Sequence, residues 1–162
     1  MSEPKILDLE KEIRKIKANM TIYYGTNHVY NHIGDNANLE EPILLDQHYG
    51  NGGDYLTYYN QGIRIGKNVN HVNIKANALI RLNQNNQSTD IYVSIRKNGQ
   101  KLTEGNFYQS GFGPFTYHIF ANYIEVVEGD LIQLYIAGTN ADINIMNDST
   151  NKQTQLAVEV AD

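Results

Sequence analysis

The chain of 162 residues contains no cysteine, no tryptophan and only three prolines. Without cysteine it has no disulfide framework, no thiolate zinc site and no cysteine nucleophile. This absence does not assign a compartment, because a cysteine-free chain works in either redox environment. No apolar run approaches the roughly 20 residues that span a bilayer, and residues Met1–Lys5 lack the apolar segment of a signal peptide. We therefore expect neither a membrane-spanning segment nor a classical export signal.

Basic residues are also scarce. Lys and Arg number 13 against 18 Asp and Glu, which gives a formal net charge of −5. A general nucleic-acid binder normally carries a basic face, and attraction to anionic lipid needs basic clusters. We therefore expect neither nucleic acid nor a membrane as a partner.

Tyrosine and asparagine are abundant, with 12 Tyr against 4 Phe. Hydrophobic residues make up 41% of the chain and charged residues 19%, a balance that permits a packed core. Tyr suits strands and Asn suits turns. Both also suit recognition of polar ligands, because Tyr combines an apolar ring with a hydroxyl group. The composition leaves both interpretations open.

The segment from Ser2 to Met20 has no glycine and is rich in helix-forming residues. Its apolar residues recur at spacings of three and four, which is the a/d pattern of a coiled coil. Isoleucine at both a and d positions favours three or more strands. We predict that residues 1–21 form a helical trimerisation stalk; an amphipathic helix packed on its own domain is the alternative. The seam of the stalk would consist of Ile6, Leu9, Ile13, Ile16 and Met20.

Residues 22–162 change to short runs rich in Ile, Val and Tyr, separated by Gly, Asn and Asp. The clearest strand is Val69–Leu82, and Asn98-Gly99 is typical of a two-residue hairpin turn. About eight to ten such strands indicate an all-β, antiparallel β-sandwich or jelly-roll head. The predicted core face of the clearest strand is Val72, Ile74, Ala76, Ala78, Ile80 and Leu82. The other predicted strands are Pro42–Leu45, Tyr55–Tyr59, Ile91–Ile95, Phe115–Val127, Leu131–Ile136, Ile143–Met146 and Leu156–Val160. Thr26–Asn38 is predicted as a loop or an irregular strand, and His48–Asp54 as a turn.

The run from Gly62 to the C-terminus resembles the jelly-roll heads of the tumour-necrosis-factor and complement-globular-head superfamily, as found in bacteriophage fibres. The resemblance is carried by the order and spacing of four segments. They are Val69–Leu82, Ile95–Gly99, Val126–Ile132 and Thr154–Val160.

This resemblance implies a homotrimer whose strands meet along a three-fold axis, with the head carried on an N-terminal stalk. It further implies a virion protein made in the host cytoplasm, with other virion proteins and a host cell-wall saccharide as expected partners. Animal complement-type heads usually follow a collagen stalk, and no Gly-X-Y repeat occurs here. The short coiled coil instead favours a phage or bacterial-surface protein.

No catalytic motif is specific enough to identify an enzyme, and we expect no cofactor and no metal. His28 and His32 have metal-like spacing but lie in a sequence that does not favour a helix. The carboxylates that could form a glycosidase pair cannot be placed by sequence alone. They are Glu125, Asp130, Asp142 and Asp148.

The segment from Gly105 to Pro114 is the best candidate for a recognition loop. Its aromatic residues between glycines could stack on a sugar, or the loop could instead pack against a neighbouring subunit. These candidate ligand-binding residues are Phe107, Tyr108 and Phe112.

Four functions remain open at this point. The first is a fibre or receptor-binding head that touches a bacterial surface polymer, and the second is a structural virion part such as a decoration or head-fibre protein. The third is a bacterial or spore-surface protein, and the fourth is an enzyme of cell-wall glycans.

Overall fold

A computed structural model describes residues 3–25, 30–32, 41–148 and 152–162. Its helix, α1, spans Glu3–Ile16. The strands that follow are β1 (Asn19–Tyr23), β2 (Tyr30–His32), β3 (Gln47–Asn51), β4 (Leu56–Tyr59), β5 (Gly62–Ile65), β6 (His71–Leu82), β7 (Ser88–Lys97), β8 (Gln100–Ser110), β9 (Phe115–Glu125), β10 (Leu131–Gly138), β11 (Ile143–Ile145), β12 (Asn147–Asp148), β13 (Lys152–Gln153) and β14 (Gln155–Val160).

The strands form two antiparallel sheets, which confirms the predicted sandwich. Sheet A has the order β2-β11-β6-β14-β1-β3, and β9 also pairs with β6. Sheet B has the order β4-β5-β10-β7-β8, and β12 and β13 form a separate hairpin. Strands β6 and β10 have partners on both sides and therefore lie inside their sheets.

The core lies between the inward faces of the two sheets. All six residues of the predicted β6 face are at most 1% exposed, which confirms the alternation. Leu79, on the opposite face of β6, is also buried. Its backbone N–H donates to Thr154 Oγ1, and its carbonyl oxygen accepts from Met146 N, so chain near the β12–β13 hairpin lies over this end of the strand.

The helix is shorter than the sequence predicts. It ends at Ile16, and Met20 lies in β1 with 9% of its surface exposed. The prediction that Met20 extends the helical seam is therefore wrong. Met20 and Ile22 alternate with more exposed neighbours, and β1 pairs with β14 on one side and β3 on the other. The spacing of apolar residues does not determine where the helix ends, because Met20 fits a heptad and an alternating strand equally well.

Two further differences lie between β1 and β4. Pro42–Leu45 is not a strand, although Ile43 and Leu45 are buried and Ile43 N donates to Leu134 O. Strand β3 instead occupies Gln47–Asn51, where the sequence predicts a turn. Every residue of β3 is exposed, so the strand has no apolar alternation by which it could be recognised. Most of the predicted loop Thr26–Asn38, including His28, lies outside the described residues.

Strands β9 and β10 carry apolar residues on both faces, for different reasons. β10 pairs with β5 and β7, and seven of its eight residues are buried. It is a central strand covered on both sides. β9 pairs with β6, and its outward residues, such as Phe120, stay exposed. This exposed face of β9 forms part of the candidate site described below.

Candidate self-association surface

The helix α1 shows its apolar side to solvent. The exposed fractions of Ile6, Leu9, Ile13 and Ile16 are 46%, 53%, 52% and 58%. An amphipathic helix packed on its own domain would bury this stripe. Since the stripe is uncovered in one chain, the alternative of internal packing is wrong.

The helix contacts the sandwich through its polar side instead. Lys15 is only 7% exposed, and its Nζ lies 2.8 Å from Asp162 Oδ2. With Ile13 at a and Ile16 at d, Lys15 occupies position c, on the side away from the seam. The ion pair therefore holds the helix while its apolar stripe points outward. This orientation leaves the stripe available to other copies of the chain.

Asp162 is held by further donors at the start of β6. Its carboxylate accepts the backbone N–H of His71 at 3.1 Å and that of Asn70 at 3.3 Å. Burial alone would raise the pKa of Asp162, but the hydrogen bonds from Lys15, His71 and Asn70 together lower it below 3.8. The hydrogen bond to Asp162 raises the pKa of Lys15 above 10.5. Both groups are therefore charged across the neutral pH range.

The outward face of sheet A is the second part of the surface. Paired positions form one row across five strands, from Tyr49 through Thr21, Ala157 and Lys75 to Phe120. Tyr49 is 53% and Phe120 is 66% exposed. The residues between the two rings are mostly small, so the face has raised aromatic edges around a shallow depression of about 250 Å³. Such a face offers protruding rings and a recess to a neighbouring copy.

Aromatic pairs stiffen both edges of this face. Tyr23 and Tyr49 lie with ring centroids 5.6 Å apart, and His71 stacks on Tyr123 at 4.0 Å. Tyr123 has a φ of 52°, and its N–H donates to Asn73 Oδ1 at 2.8 Å. A non-glycine residue in this conformation needs such support. The contacts fix Tyr123 outward, where its side chain is 62% exposed.

His118 also lies on the outward face of sheet A. It is exposed and bonds to Asn77 Oδ1 through Nδ1. A place in the core is thereby excluded, whereas a place in an interface stays a prediction.

The three predicted ligand-binding aromatics do not form one surface. Phe107 and Tyr108 are neighbours in β8 and therefore point to opposite faces. Phe107 packs against the core, with its ring 4.9 Å from that of Tyr117, while Tyr108 is 66% exposed. Phe112 lies in the β8–β9 turn near Arg81. The prediction of a loop from Gly105 onward is wrong, because the chain is strand as far as Ser110.

Among the carboxylates considered for catalysis, Asp130 has a structural role. Asp130 accepts hydrogen bonds from Asn98 Nδ2 and Val127 N, each at 2.8 Å, and so organises a turn. Glu125 is exposed at the end of β9, and the side chain of Asp148 is outside the described part. Among the described residues, no three His, Asp or Glu side chains are grouped as a metal site requires.

Within the described ranges, no helix is both long enough and apolar enough to span a bilayer. For His32, only the backbone at the end of β2 is described.

No protein-family model and no curated protein matches the sequence. Solved structures do match. The chain superimposes on the Eiger TNF from S. frugiperda with a TM-score of 0.52 and 12% identity, covering 90% of this chain and 93% of that one. Murine APRIL gives a TM-score of 0.51 at 13% identity, covering 88% and 97%. The PRD1 vertex protein P5 gives 0.51 at 12% identity, covering 91% and 99%. At these identities the likeness shows the fold, and the chain therefore has a jelly roll of the tumour-necrosis-factor type.

Proposed function

We propose that the protein is a trimeric structural protein of a bacteriophage virion, a fibre or receptor-binding head that contacts a host cell-surface saccharide without chemically changing it. The observation that carries the proposal is the exposed apolar stripe of α1. Four large aliphatic side chains on one helix face are about half exposed, and the helix is tied down by its opposite side. Further copies of the same helix would cover that stripe in the heptad register.

The outward face of sheet A supports assembly of the heads as well. It begins next to the helix, because the backbone N–H of His71 binds the same Asp162 that pairs with Lys15. A helical seam and an aromatic sheet face at one end of the molecule can both lie near a common three-fold axis. This arrangement agrees with the trimer that the family resemblance implies.

The virion location draws on the fold shared with the PRD1 vertex protein P5. A receptor-binding role draws on the polar, aromatic surface that sheet B leaves outside such a trimer. Tyr108 and Asn106 on β8 lie opposite Asp90 and Tyr92 on β7. The exposed Tyr108 ring and the partly buried Tyr92 ring lie next to carboxylate and amide groups, a combination that suits sugar hydroxyls.

A purely structural decoration protein is the second candidate. Phe107 packs against the core and Phe112 lies in a separate turn, so the aromatic platform expected of a saccharide site is incomplete. Under this alternative the trimer forms but binds no wall polymer.

The test combines assembly with binding. Sedimentation equilibrium should give three times the monomer mass at micromolar concentration, and a glycan array probed with the full chain should give specific signals. Reducing-end release from purified wall polymer should stay at background. A monomer contradicts the trimer, released fragments contradict the non-enzymatic role, and an empty array favours the decoration protein.

A further inference from the structure

A second cleft lies between α1 and the sandwich, at the end of the molecule where the helix is attached. It measures about 1040 Å³ and separates the helix from the β3–β4 turn, the end of β5 and the β9–β10 turn. We call it the basal cleft. Its charged lining residues are Lys11, Arg14, Asp54, Arg64, Lys67 and Glu128.

The basal cleft has an excess of basic residues, whereas the chain as a whole has an excess of acidic ones. Its lining contains four basic and two acidic side chains, whereas the chain as a whole has 13 basic and 18 acidic residues. The four basic residues are all exposed, and they come from two separate parts of the chain. Lys and Arg in a concave site raise the local concentration of anions.

The cleft stays open when the helices associate. With Ile13 at position a, Arg14 occupies b and Lys11 occupies f, both on the outer side of a coiled coil. Self-association through the seam therefore leaves these two cations facing the cleft. In a trimer, three such clefts would surround the stalk.

Glycines shape the floor of the cleft. A Cβ atom at Gly52 would overlap the carbonyl oxygen of Leu56, and one at Gly66 would overlap that of Asp54. The chain segments thus meet backbone to backbone, without side chains that would fill the space. The space of the cleft therefore stays open above backbone segments that pack closely at its base.

The rest of the lining favours a hydroxylated ligand. Asp54 and Glu128 can accept hydrogen bonds from hydroxyl groups, and Asn51 and Asn68 offer both donors and acceptors. DNA carries phosphates, but its deoxyribose units have no free hydroxyl group that could donate to the two carboxylates. Anionic groups separated by hydroxyl-bearing units would fit the alternating charges better.

An aromatic residue beside the cleft strengthens this assignment. The Arg64 guanidinium lies 4.9 Å from the centroid of the Tyr59 ring, which is 51% exposed. The ring orients one of the cations and offers a face on which a sugar can stack. The pair therefore combines charge recognition with stacking at the cleft's border.

We propose that the basal cleft binds an anionic cell-surface glycan or polyol polymer, through Lys11 and Arg14 of the helix together with Arg64 and Lys67 of the head. The inference goes beyond the proposed function, because it assigns a glycan site separate from the β7–β8 surface of sheet B. The recognised chemistry is a phosphate or carboxylate group flanked by hydroxyl groups.

The experiment measures binding of the full chain by calorimetry at low and high NaCl. Poly(glycerol phosphate) is the phosphate-bearing probe, polygalacturonate the carboxylate-bearing probe, and neutral dextran and an oligo-dT strand are the comparisons. We expect at least one anionic glycan or polyol probe to bind, with an affinity that falls as salt rises. If dextran binds as tightly as the anionic probes, the ligand need not be anionic and the proposal is wrong. If oligo-dT binds more tightly than the hydroxylated probes, the proposed preference for a hydroxylated polymer is wrong.

Charge reversals locate the site. Arg14→Glu and Lys67→Glu should each weaken binding by about tenfold, since each replaces an attraction by a repulsion. Arg81→Glu makes the same change in net charge, but Arg81 lies near the end of β6, whereas Lys67 of the cleft lies just before the start of that strand. This control should alter the affinity less than about twofold. Equal losses in all three variants would overturn the assignment to the cleft.

Sedimentation of every variant separates this inference from the proposed function. A trimer that binds no anionic probe, or binds one through another surface, rejects the cleft and leaves the trimer standing. A monomer that still loses binding on Lys67→Glu rejects the trimer and supports the cleft.

Discussion

Asp162 links the helix to the head through its own side chain. Its carboxylate receives Lys15 at 2.8 Å and two backbone N–H groups at the start of β6. We expect Asp162→Asn to lower the free energy of unfolding at pH 7 by about 1–3 kcal/mol, because hydrogen bonds to a charged, mostly buried group are lost. Urea denaturation of both proteins measures the difference. The control is Asp8→Asn, which removes a carboxylate from the exposed part of the same helix.

The pH dependence of that difference has a defined sign. The pKa of Asp162 is lowered in the folded protein, so its contribution is complete above the unfolded value near 3.8 and is lost as pH falls through the folded pKa. The pKa of Lys15 is raised, so its contribution persists up to about 10.5 and is lost above the folded pKa. The two proteins should therefore differ at pH 7 and converge in strong acid. A constant difference down to pH 2 would contradict this account.

Gly99 tests the hairpin between β7 and β8. Asn98 and Gly99 have φ values of 53° and 81°, as the predicted two-residue turn requires. A Cβ at Gly99 would meet no atom within 4 Å, so any cost of substitution comes from the backbone conformation alone. We expect Gly99→Val to lower the free energy of unfolding by about 1–3 kcal/mol and Gly99→Asn by clearly less. Equal losses in thermal denaturation would show that the conformation does not matter.

At the scale of the secondary-structure elements, the two faces of β6 should respond differently to truncation. Ile80 is fully buried, whereas Lys75 on the outward face is exposed. Ile80→Ala should cost about 2–5 kcal/mol because it removes a core side chain and leaves a cavity. Lys75→Ala should change stability by less than about 0.5 kcal/mol. Denaturation midpoints that move equally would contradict the assignment of the faces.

Asn73 shows why exposure alone does not select a neutral control. Its position on the outward face of β6 predicts a small effect on truncation. In the structure, however, its Oδ1 accepts the N–H of Tyr123, whose φ is positive, and its Nδ2 donates to Glu159. The register between β6 and β9 shifts at this point. Lys75 is therefore the better control.

The elements with strong periodicity are the ones that the sequence predicts well. The alternation in β6 and the turn at Asn98-Gly99 are local signals, and both are confirmed. β3 is missed because all five of its residues are exposed and its pairing with β1 is set by tertiary contacts. The end of α1 is misplaced because Met20 satisfies both periods, and pairing of β1 on both sides decides in favour of the strand.

The candidate site is less accessible to sequence reasoning than the fold. The seam residues Ile6 to Ile16 are visible as heptads, but only the structure shows that they are uncovered. The row from Tyr49 to Phe120 joins residues of distant strands, and no local pattern connects them. Residue type alone makes Phe107 a candidate for ligand binding. Its inward direction follows from the alternation of side chains along β8, a strand that the sequence does not predict.

At the scale of the whole molecule, the helix and the head offer two separable association surfaces. Ile13 is 52% exposed at the centre of the helical stripe, and Phe120 is 66% exposed at the edge of sheet A. Because both are exposed in one chain, polar substitutions should leave the fold of the monomer intact. A change in oligomeric state can then be attributed to the interface.

We expect Ile13→Asp to weaken the trimer by placing three carboxylates in one layer of the stalk, where burial of unpaired charge is costly. Phe120→Asp should weaken the contact between heads by the same physical cause. If both surfaces take part, each single variant should raise the dissociation constant, and the double variant should sediment as a folded monomer with unchanged circular dichroism. Lys11→Asp, which places a carboxylate on the outer side of the same helix, is the control and should remain assembled. A double variant that is still trimeric would show that the subunits associate elsewhere, and dissociation by Ile13→Asp alone would show that the stalk supplies most of the binding free energy.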